Sequence, residues 1–513
     1  MNPATITFGE GALAIEDLLA IARGDSRAAL STNPAWQARV QAGVDFIAAH
    51  LRAGDAVYGV STGVGDSCTN QVAPEFASQL QRNLLRFHGC GTGRVLTELE
   101  SAAVVAARLA SLANGYSAIR PRILERLCEM LNRRLLPVIP AEGSVGASGD
   151  LTPLSYLAAS IVGEREVYWR GKIVPAAAAL QEAGLEPIAL EAKEALSLMN
   201  GTSVMTALGC IAFEQSIRLA RFSAALTAMA SDVTLGNPAH FDDRIFAAKP
   251  HPGQRACARW IADDLGYDPS AKRRPRRLQD RYSIRCAPHI IGVLLDSAPF
   301  LRQLIETEVN GANDNPLVDP DTGDVLHGGN FYGGHICLAM DLLKNTVANL
   351  ADLLDRQLAI LCNPAMNHGD LPANLVLRSG PDATAHHGFK AMQISTSALT
   401  AEALKLTMPA SAFSRSTENH NQDKVSMGTI AARDCLRILE LTETVAAIHV
   451  LALCQGVDIR KQVGCGKRSL ALHEAVRRRV PVNDGDRRMD IDIQAVLEAL
   501  RADKLPLGDK VFP

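Results

Sequence analysis

Aromatic residues are scarce in this 513-residue chain, at 4%, although 47% of all residues are hydrophobic. A large core must therefore be aliphatic and alanine-rich, a composition that favours closely packed helices. No CxxC pair occurs among the eleven cysteines, scattered from Cys68 to Cys465. That spacing suits neither a zinc site nor a disulfide framework, and a reducing, cytoplasmic compartment is the expectation. Charge of one sign is also lacking: the net charge is −3, so neither nucleic acid nor an anionic membrane surface is an expected partner. No apolar run reaches the ~20 residues that span a bilayer. The opening MNPATITFGEGALAIEDL lacks the basic-then-apolar order of a signal peptide. His289, His327, His335, His386 and His387 fit no HExxH spacing, so they read as ordinary histidines and no metal is expected.

Long helical stretches dominate what is there. Leu99–Asn114 is rich in Ala, Leu and Val and stops at Gly115. Further helices are expected over Gly201–Ser231, Gln303–Asn310, Ile336–Cys362, Phe389–Met408 and Val425–Gln455. Apolar residues on more than one face place such helices inside a bundle. The expected fold is mainly α, with a long central bundle and a mixed N-terminal domain. The expected division is 1–200, 201–430 and a helical 431–513. Gly- and Asn-rich loops start at Tyr58, Glu142, Asn313, Gly328 and Glu418. Loops of this kind carry function when a rigid scaffold holds them. The basic run Lys272–Arg277 reads as a solvated loop rather than a nucleic-acid patch.

The most informative segment is Gly143-Ser-Val-Gly-Ala-Ser-Gly-Asp-Leu-Thr-Pro-Leu154. Its glycines permit sharp turns, but neither the Lys-Ser/Thr ending of a phosphate loop nor a GxGxxG is present. The plain structural reading is a tight loop entering a helix, with Asp150 or Thr152 as cap and Pro153 in the first turn. Ala147-Ser148-Gly149 also permits a chemical reading. Bent hard enough, the Gly149 nitrogen reaches the Ala147 carbonyl, and loss of the Ser148 hydroxyl as water leaves a methylidene on a five-membered ring.

GSVGASGDLTPLSY resembles the signature of the histidine, phenylalanine and tyrosine ammonia-lyases, and further matches run over nearly the whole chain. The resemblance implies a 4-methylidene-imidazol-5-one cofactor formed from Ala147, Ser148 and Gly149. Tyr58-Gly-Val-Ser-Thr-Gly-Val-Gly is similar to the family's lid loop, whose tyrosine is the base. Asn200-Gly-Thr resembles the turn that holds the cofactor's oxygen. Gln279-Asp-Arg-Tyr-Ser-Ile-Arg285 resembles the segment supplying a second tyrosine, Tyr282, and the carboxylate-binding Arg285. Asn315 in NDNP, Phe331 in GNFYG, Lys390, Glu418 and Gln422 complete the implied substrate site. A helical homotetramer with shared active sites is implied too. For Tyr58 to act as a base, its pKa of ~10 would have to be lowered by positive surroundings.

The implied reaction is loss of ammonia from an aromatic amino acid, tyrosine first, giving p-coumarate, with weaker action on phenylalanine. Phenylalanine or histidine ammonia-lyase and 2,3-aminomutase activities of the same family stand as alternatives, and a silent helical scaffold is the non-enzymatic one. Glu418-Asn-His-Asn-Gln-Asp423 is similar to the tyrosine and phenylalanine enzymes, where histidine enzymes resemble ANQED. Lys390 in GFK points the same way. Phe87-His88, at the family's selectivity pair, joins an apolar wall to one hydrogen-bonding ring and matches none of the usual pairs.

Overall fold

Local signals account for where the helices begin. Thr97 accepts from the Glu100 amide at 3.2 Å while the Glu100 carboxylate accepts from the Thr97 amide at 2.7 Å. This reciprocal cap starts the helix Glu98–Leu112. Gly115, at φ 78, follows its end. The longest helices are Ser203–Val233, Ala287–Val309, Gly334–Cys362 and Gly428–Ile459. Ser203–Val233, Gly334–Cys362 and Gly428–Ile459 match the apolar stretches from which they were expected, whereas Ala287–Val309, with Pro299 inside it, begins well before the expected Gln303–Asn310; the fold is mainly α. The computed structural model describes residues 3–271, 276–508 and 510.

The chain divides into two compact units, and each is assembled from three separate stretches. The first comprises Met1–Ala212, Leu301–Asp341 and Pro409–Arg433. Its core is aliphatic, with Leu19, Val104, Val105, Ile123, Leu154, Leu157 and Leu198 fully buried. It holds the strands found among the described residues, all of them short. Ala4–Phe8 runs parallel to Ser26–Leu30, and Leu317–Asp319 pairs antiparallel with Asp324–Leu326. Leu136–Pro137, Glu166–Trp169 and Lys172–Pro175 form a small antiparallel sheet. Thr92–Val95 pairs antiparallel with Pro140–Glu142, Thr92 facing Glu142. That last pair ties the segment just after Phe87-His88 to the segment just before Gly143.

The second unit comprises Phe213–Phe300, Leu342–Met408 and Asp434–Pro513. Among its described residues it is built of helices and loops. Phe222, Leu226, Leu350, Leu354, Ile438 and Leu439 are buried there. One polar chain crosses this interior. His449 shares a 3.0 Å hydrogen bond with Gln357, whose amide donates to the Thr227 hydroxyl and the Ser283 carbonyl. Burial pushes His449 down to about 3, so its ring is neutral and suits a dry site.

Two expectations need adjustment. One helical stretch among the described residues, Tyr282–Val309, is long and apolar enough to cross a membrane by length and composition. Half of its most apolar window is buried inside the protein, as in a core helix. Of the basic run, residues 272–275 lie outside the described residues. Arg276 pairs with Asp370, and Arg277 binds Asp280 and the Thr234 carbonyl, both at 2.8 Å.

Candidate active site

The segment after strand Pro140–Glu142 is a compressed turn. Gly146, Ser148 and Gly149 all have left-handed backbones, at φ 79, 48 and 75. For Ser148 that conformation is costly unless the surroundings impose it. They do. A side chain at Gly149 would run into the Gly201 carbonyl, and one at Gly146 into the Ser426 hydroxyl. The Gly201 amide donates to the Ser148 carbonyl at 3.2 Å, and the Asp150 amide donates to the Gly201 carbonyl at 2.7 Å. Ala147-Ser148-Gly149 is thus pressed against Asn200-Gly201, and a turn squeezed between two glycines fits the ring closure described above.

Asp150 anchors this turn in a way the sequence did not suggest. It stands at the start of helix Leu151–Ile161 but makes no side-chain cap there. Its fully buried carboxylate instead accepts from the Val204 and Met205 amides at 3.0 and 2.9 Å, and from the Ser144 and Thr429 hydroxyls. It therefore caps the next long helix, Ser203–Val233, whose first amides have no partner of their own. Burial pushes the Asp150 carboxyl up, and its hydrogen bonds oppose that shift.

Above the turn lies a cavity of about 470 Å³. Tyr58, Phe87, His88, Ala147, Ser148, Asn200, Asn315, Phe331, Glu418 and Gln422 all line it, and all belong to the first unit. Gln422 donates to the Ser148 hydroxyl at 3.0 Å. Asn200 donates to the Asn315 carbonyl at 2.8 Å, while its own buried side-chain oxygen has no partner. Tyr282, Arg285 and Lys390 belong to the second unit and are not among the lining residues. Arg285 there donates to the Asp280 carbonyl at 3.0 Å and stacks 4.5 Å from the Tyr282 ring, which is 71% exposed.

The Tyr58 loop is held at both ends. Val57 and Val60, beside Tyr58, are buried against Ile47, Ala118 and Val318. The Asp66 amide donates to Glu418 at 2.9 Å, and Asn419 bonds the Asp66 carboxylate. Glu418, Asn419 and His420 are three successive left-handed residues, at φ 53, 53 and 63. The Tyr58 hydroxyl accepts from the Gly65 amide at 2.7 Å. Its pKa departs from the expectation. Burial pushes it up and Glu418 and Cys68 add to the rise, while the Gly65 hydrogen bond opposes them. Within one chain Tyr58 is therefore a weaker acid than free tyrosine, and no cation is among the causes of its shift.

His88 follows the helix Ala77–Phe87 as its C-terminal cap. Its Nδ1 lies 2.9 Å from the Leu84 carbonyl. A carbonyl only accepts, so Nδ1 carries the proton. Burial and the charge of Arg165 push the ring's pKa down, against the Leu84 bond. The neutral ring then presents Nε2 as a pure acceptor. Phe87 packs against it with ring centroids 4.1 Å apart.

Several lining residues lie outside the site expected from sequence. His327, expected to be an ordinary histidine, lines the cavity and stands edge-on to Tyr58, centroids 6.4 Å apart. Its position just before Gly328-Gly-Asn-Phe331 was the available signal. Tyr332, inside GNFYG, Lys424, just after Glu418–Asp423, and Leu84, one helical turn before His88, also line it.

Residues 13–478 match the family described as aromatic amino acid lyase. A histidine ammonia-lyase of Gloeobacter violaceus is 38% identical over 498 residues, covering 95% of this chain and 94% of the relative. One from Myxococcus xanthus is 37% identical over 509 residues, with 98% of each covered. Among solved structures, tyrosine aminomutase from Streptomyces globisporus has a TM-score of 0.89 at 34% identity, with 98% of each chain covered. Histidine ammonia-lyase from Trypanosoma cruzi has a TM-score of 0.87 at 32% identity, with 97% of this chain and 93% of that one covered. With the match running through both units and the compressed Ala-Ser-Gly turn, the chain belongs to the aromatic amino acid lyase family.

Proposed function

We propose that this protein eliminates ammonia from an aromatic α-amino acid whose ring ends in a hydrogen-bond donor. The observation that carries this reading is the 2.9 Å contact of His88 Nδ1 with the Leu84 carbonyl, which leaves Nε2 as the acceptor of a ring that lines the cavity. Tyrosine offers its phenol O–H and histidine its ring N–H; phenylalanine offers nothing. With phenylalanine bound, the acceptor would be buried without a partner, at ~1–3 kcal/mol. That corresponds to roughly a ten- to hundredfold preference in kcat/KM.

Tyrosine, giving p-coumarate, is favoured by the residues around the turn. Phe87 offers an apolar wall for a benzene ring, and Gln422 is neutral in a segment where histidine enzymes resemble ANQED. Kinship favours histidine, because the curated relatives described above are histidine ammonia-lyases, and this second reading has the broader support. Rates of ammonia release from tyrosine, histidine and phenylalanine, measured side by side, decide between them. A best rate on phenylalanine would sink the proposal, and a β-amino acid product would turn it toward the aminomutases.

A cofactor formed from Ala147, Ser148 and Gly149 would supply the electrophile that turns the amine into a better leaving group. The chain's own residues do the rest. Tyr58 takes the β-proton, the C–N electrons leave with ammonia, and the former C–H pair becomes the double bond. Asn315, Phe331 and Gln422 orient the substrate, and Glu418 lies beside the lid that covers it. Arg285 is the bidentate clamp for the carboxylate, and Tyr282 and Lys390 complete the site.

We assign these last three to neighbouring copies in a homotetramer with shared sites, which would also bring a cation toward Tyr58. Tyr58→Phe and Arg285→Ala chains, each inactive alone, should regain activity when assembled together. If mixed assemblies stay silent while both chains bind normally to each other, the sites are not shared. Eleven free cysteines suit a cytoplasmic setting for this reaction.

A further inference from the structure

We propose that Arg165, which lies outside the cavity, is the positioning residue that makes the Phe87-His88 helix end read the substrate ring. This inference rests on the reading of His88 given above.

Gly89, just past the His88 cap of helix Ala77–Phe87, is not left-handed and its amide serves the Arg86 carbonyl at 3.0 Å, so the carbonyls of Leu84 and Leu85 need partners from elsewhere. The His88 ring takes the carbonyl of Leu84, and the Arg165 guanidinium takes that of Leu85. The same guanidinium donates to the Ser155 hydroxyl at 2.9 Å, and its carbon sits 4.1 Å from the Tyr156 ring centroid. Ser155 Oγ in turn lies 2.7 Å from the Thr152 carbonyl and 3.3 Å from that of His88. Next door, Glu164 holds Arg86 in a two-pronged pair at 2.7 and 3.2 Å. Gly89 leaves the space, since a side chain there would run into the guanidinium. Two successive residues of one loop therefore grip the helix end. Arg165 does so from a left-handed backbone at φ 66, a conformation that costs a non-glycine residue.

The grip has two consequences. It stops the last turn from fraying, so His88 Nε2 keeps one aim. It also sets the protonation state. A helix C-terminus favours a protonated imidazole, and the Arg165 charge beside Leu85 and His88 opposes this, in the same direction as burial. On the helix side, Arg86 is matched by Glu164, and Cys90 lies beyond. Across the cavity, the lid offers Tyr58 and Cys68, His327 stands beside Tyr58, and the facing loop carries Glu418, Asp423 and Lys424. A protonated His88 would lose its only acceptor and with it the preference for a donor-tipped ring.

The test compares wild type, Arg165→Met, Arg165→Lys and His88→Leu. For each, kcat/KM is measured between about pH 5 and 9 on the better of tyrosine and histidine and on phenylalanine. Arg165→Met should reduce the preference for the donor-tipped substrate by roughly tenfold, with phenylalanine changed by less than about twofold. The pH below which the preference disappears should move up. Arg165→Lys keeps the charge but loses the fork, so it should restore that pH and only part of the preference. An equal fall on both substrates would reduce Arg165 to scaffolding and overturn the proposal, as would an unchanged ratio and pH profile. If His88→Leu keeps the preference, the reading of His88 fails. If His88→Leu loses it and Arg165→Met does not, only the role of Arg165 fails.

Discussion

Asp150 in the first unit and Asp232 in the second are buried carboxylates with the same mechanical task. Each accepts from backbone amides at the start of a helix. Asp150 binds Val204 and Met205 at the head of Ser203–Val233; Asp232 binds Gly466 at 2.8 Å and the Ser469 hydroxyl at 2.6 Å, at the head of Lys467–Arg477. They differ in how many separate segments they join. Asp150 also holds Ser144 of its own loop and Thr429, so its carboxylate ties two distant stretches to the Ala147–Gly149 turn. Asp232 ties one stretch and lines a cavity of about 550 Å³. Burial pushes it up to about 6, against its bonds from Ser469 and Gly466. A carboxylate that fixes a strained turn needs donors from several directions, whereas one that only caps a helix does not.

The comparison breaks first at the turn itself. Ser148→Ala removes the hydroxyl that would leave as water in the proposed ring closure. Wild-type protein should weigh two waters less than its translated sequence, the variant should not, and turnover should fall by at least ~1,000-fold. A wild-type chain of full mass with full activity would mean the turn has no chemical role.

Asp150→Ala comes next. It strands two buried amides and two hydroxyls, each worth ~1–3 kcal/mol, and a loss of several kcal/mol in stability is expected. Denaturant unfolding measures this, and mass spectrometry of the folded fraction reports whether the two waters still leave. Complete water loss in a folded variant would show that the glycines alone hold the turn.

Asp232→Asn should have the smallest effect and the opposite sign. A carboxyl raised from 3.8 to about 6 on folding binds more protons folded than unfolded. Its contribution is therefore best below about pH 4, falls as the pH rises to about 6, and is flat beyond. Replacing it with a neutral amide should raise stability above about pH 6 by up to ~3 kcal/mol, with no gain below about pH 4. Thermal melts across that range would expose the idea as wrong if the variant were weaker throughout.

Much of this protein was legible as sequence because the signals are local. Helix Glu98–Leu112 announces itself by Thr97, Glu100 and Gly115, and the long helices by apolar runs without turn residues. Ala147-Ser148-Gly149 is recognisable because the chemistry it permits needs a small residue, a hydroxyl and a glycine in that order. The cap was less legible: Asp150 precedes one helix but serves another more than fifty residues later, a pairing that no spacing rule encodes.

What the sequence alone determined was the family and the backbone chemistry that Ala147-Ser148-Gly149 permits, since those follow from local residue types and short backbone constraints. Tertiary structure decided which of those residues share one cavity, drawing Tyr58, His88, Ser148, Asn315 and Gln422 together from distant stretches of the first unit. It also decided their acidity: Tyr58 is pushed up rather than down, and burial and the Arg165 charge push His88 down. A pKa depends on burial and on charges brought near by folding, and those distances are set by packing between segments far apart in the chain.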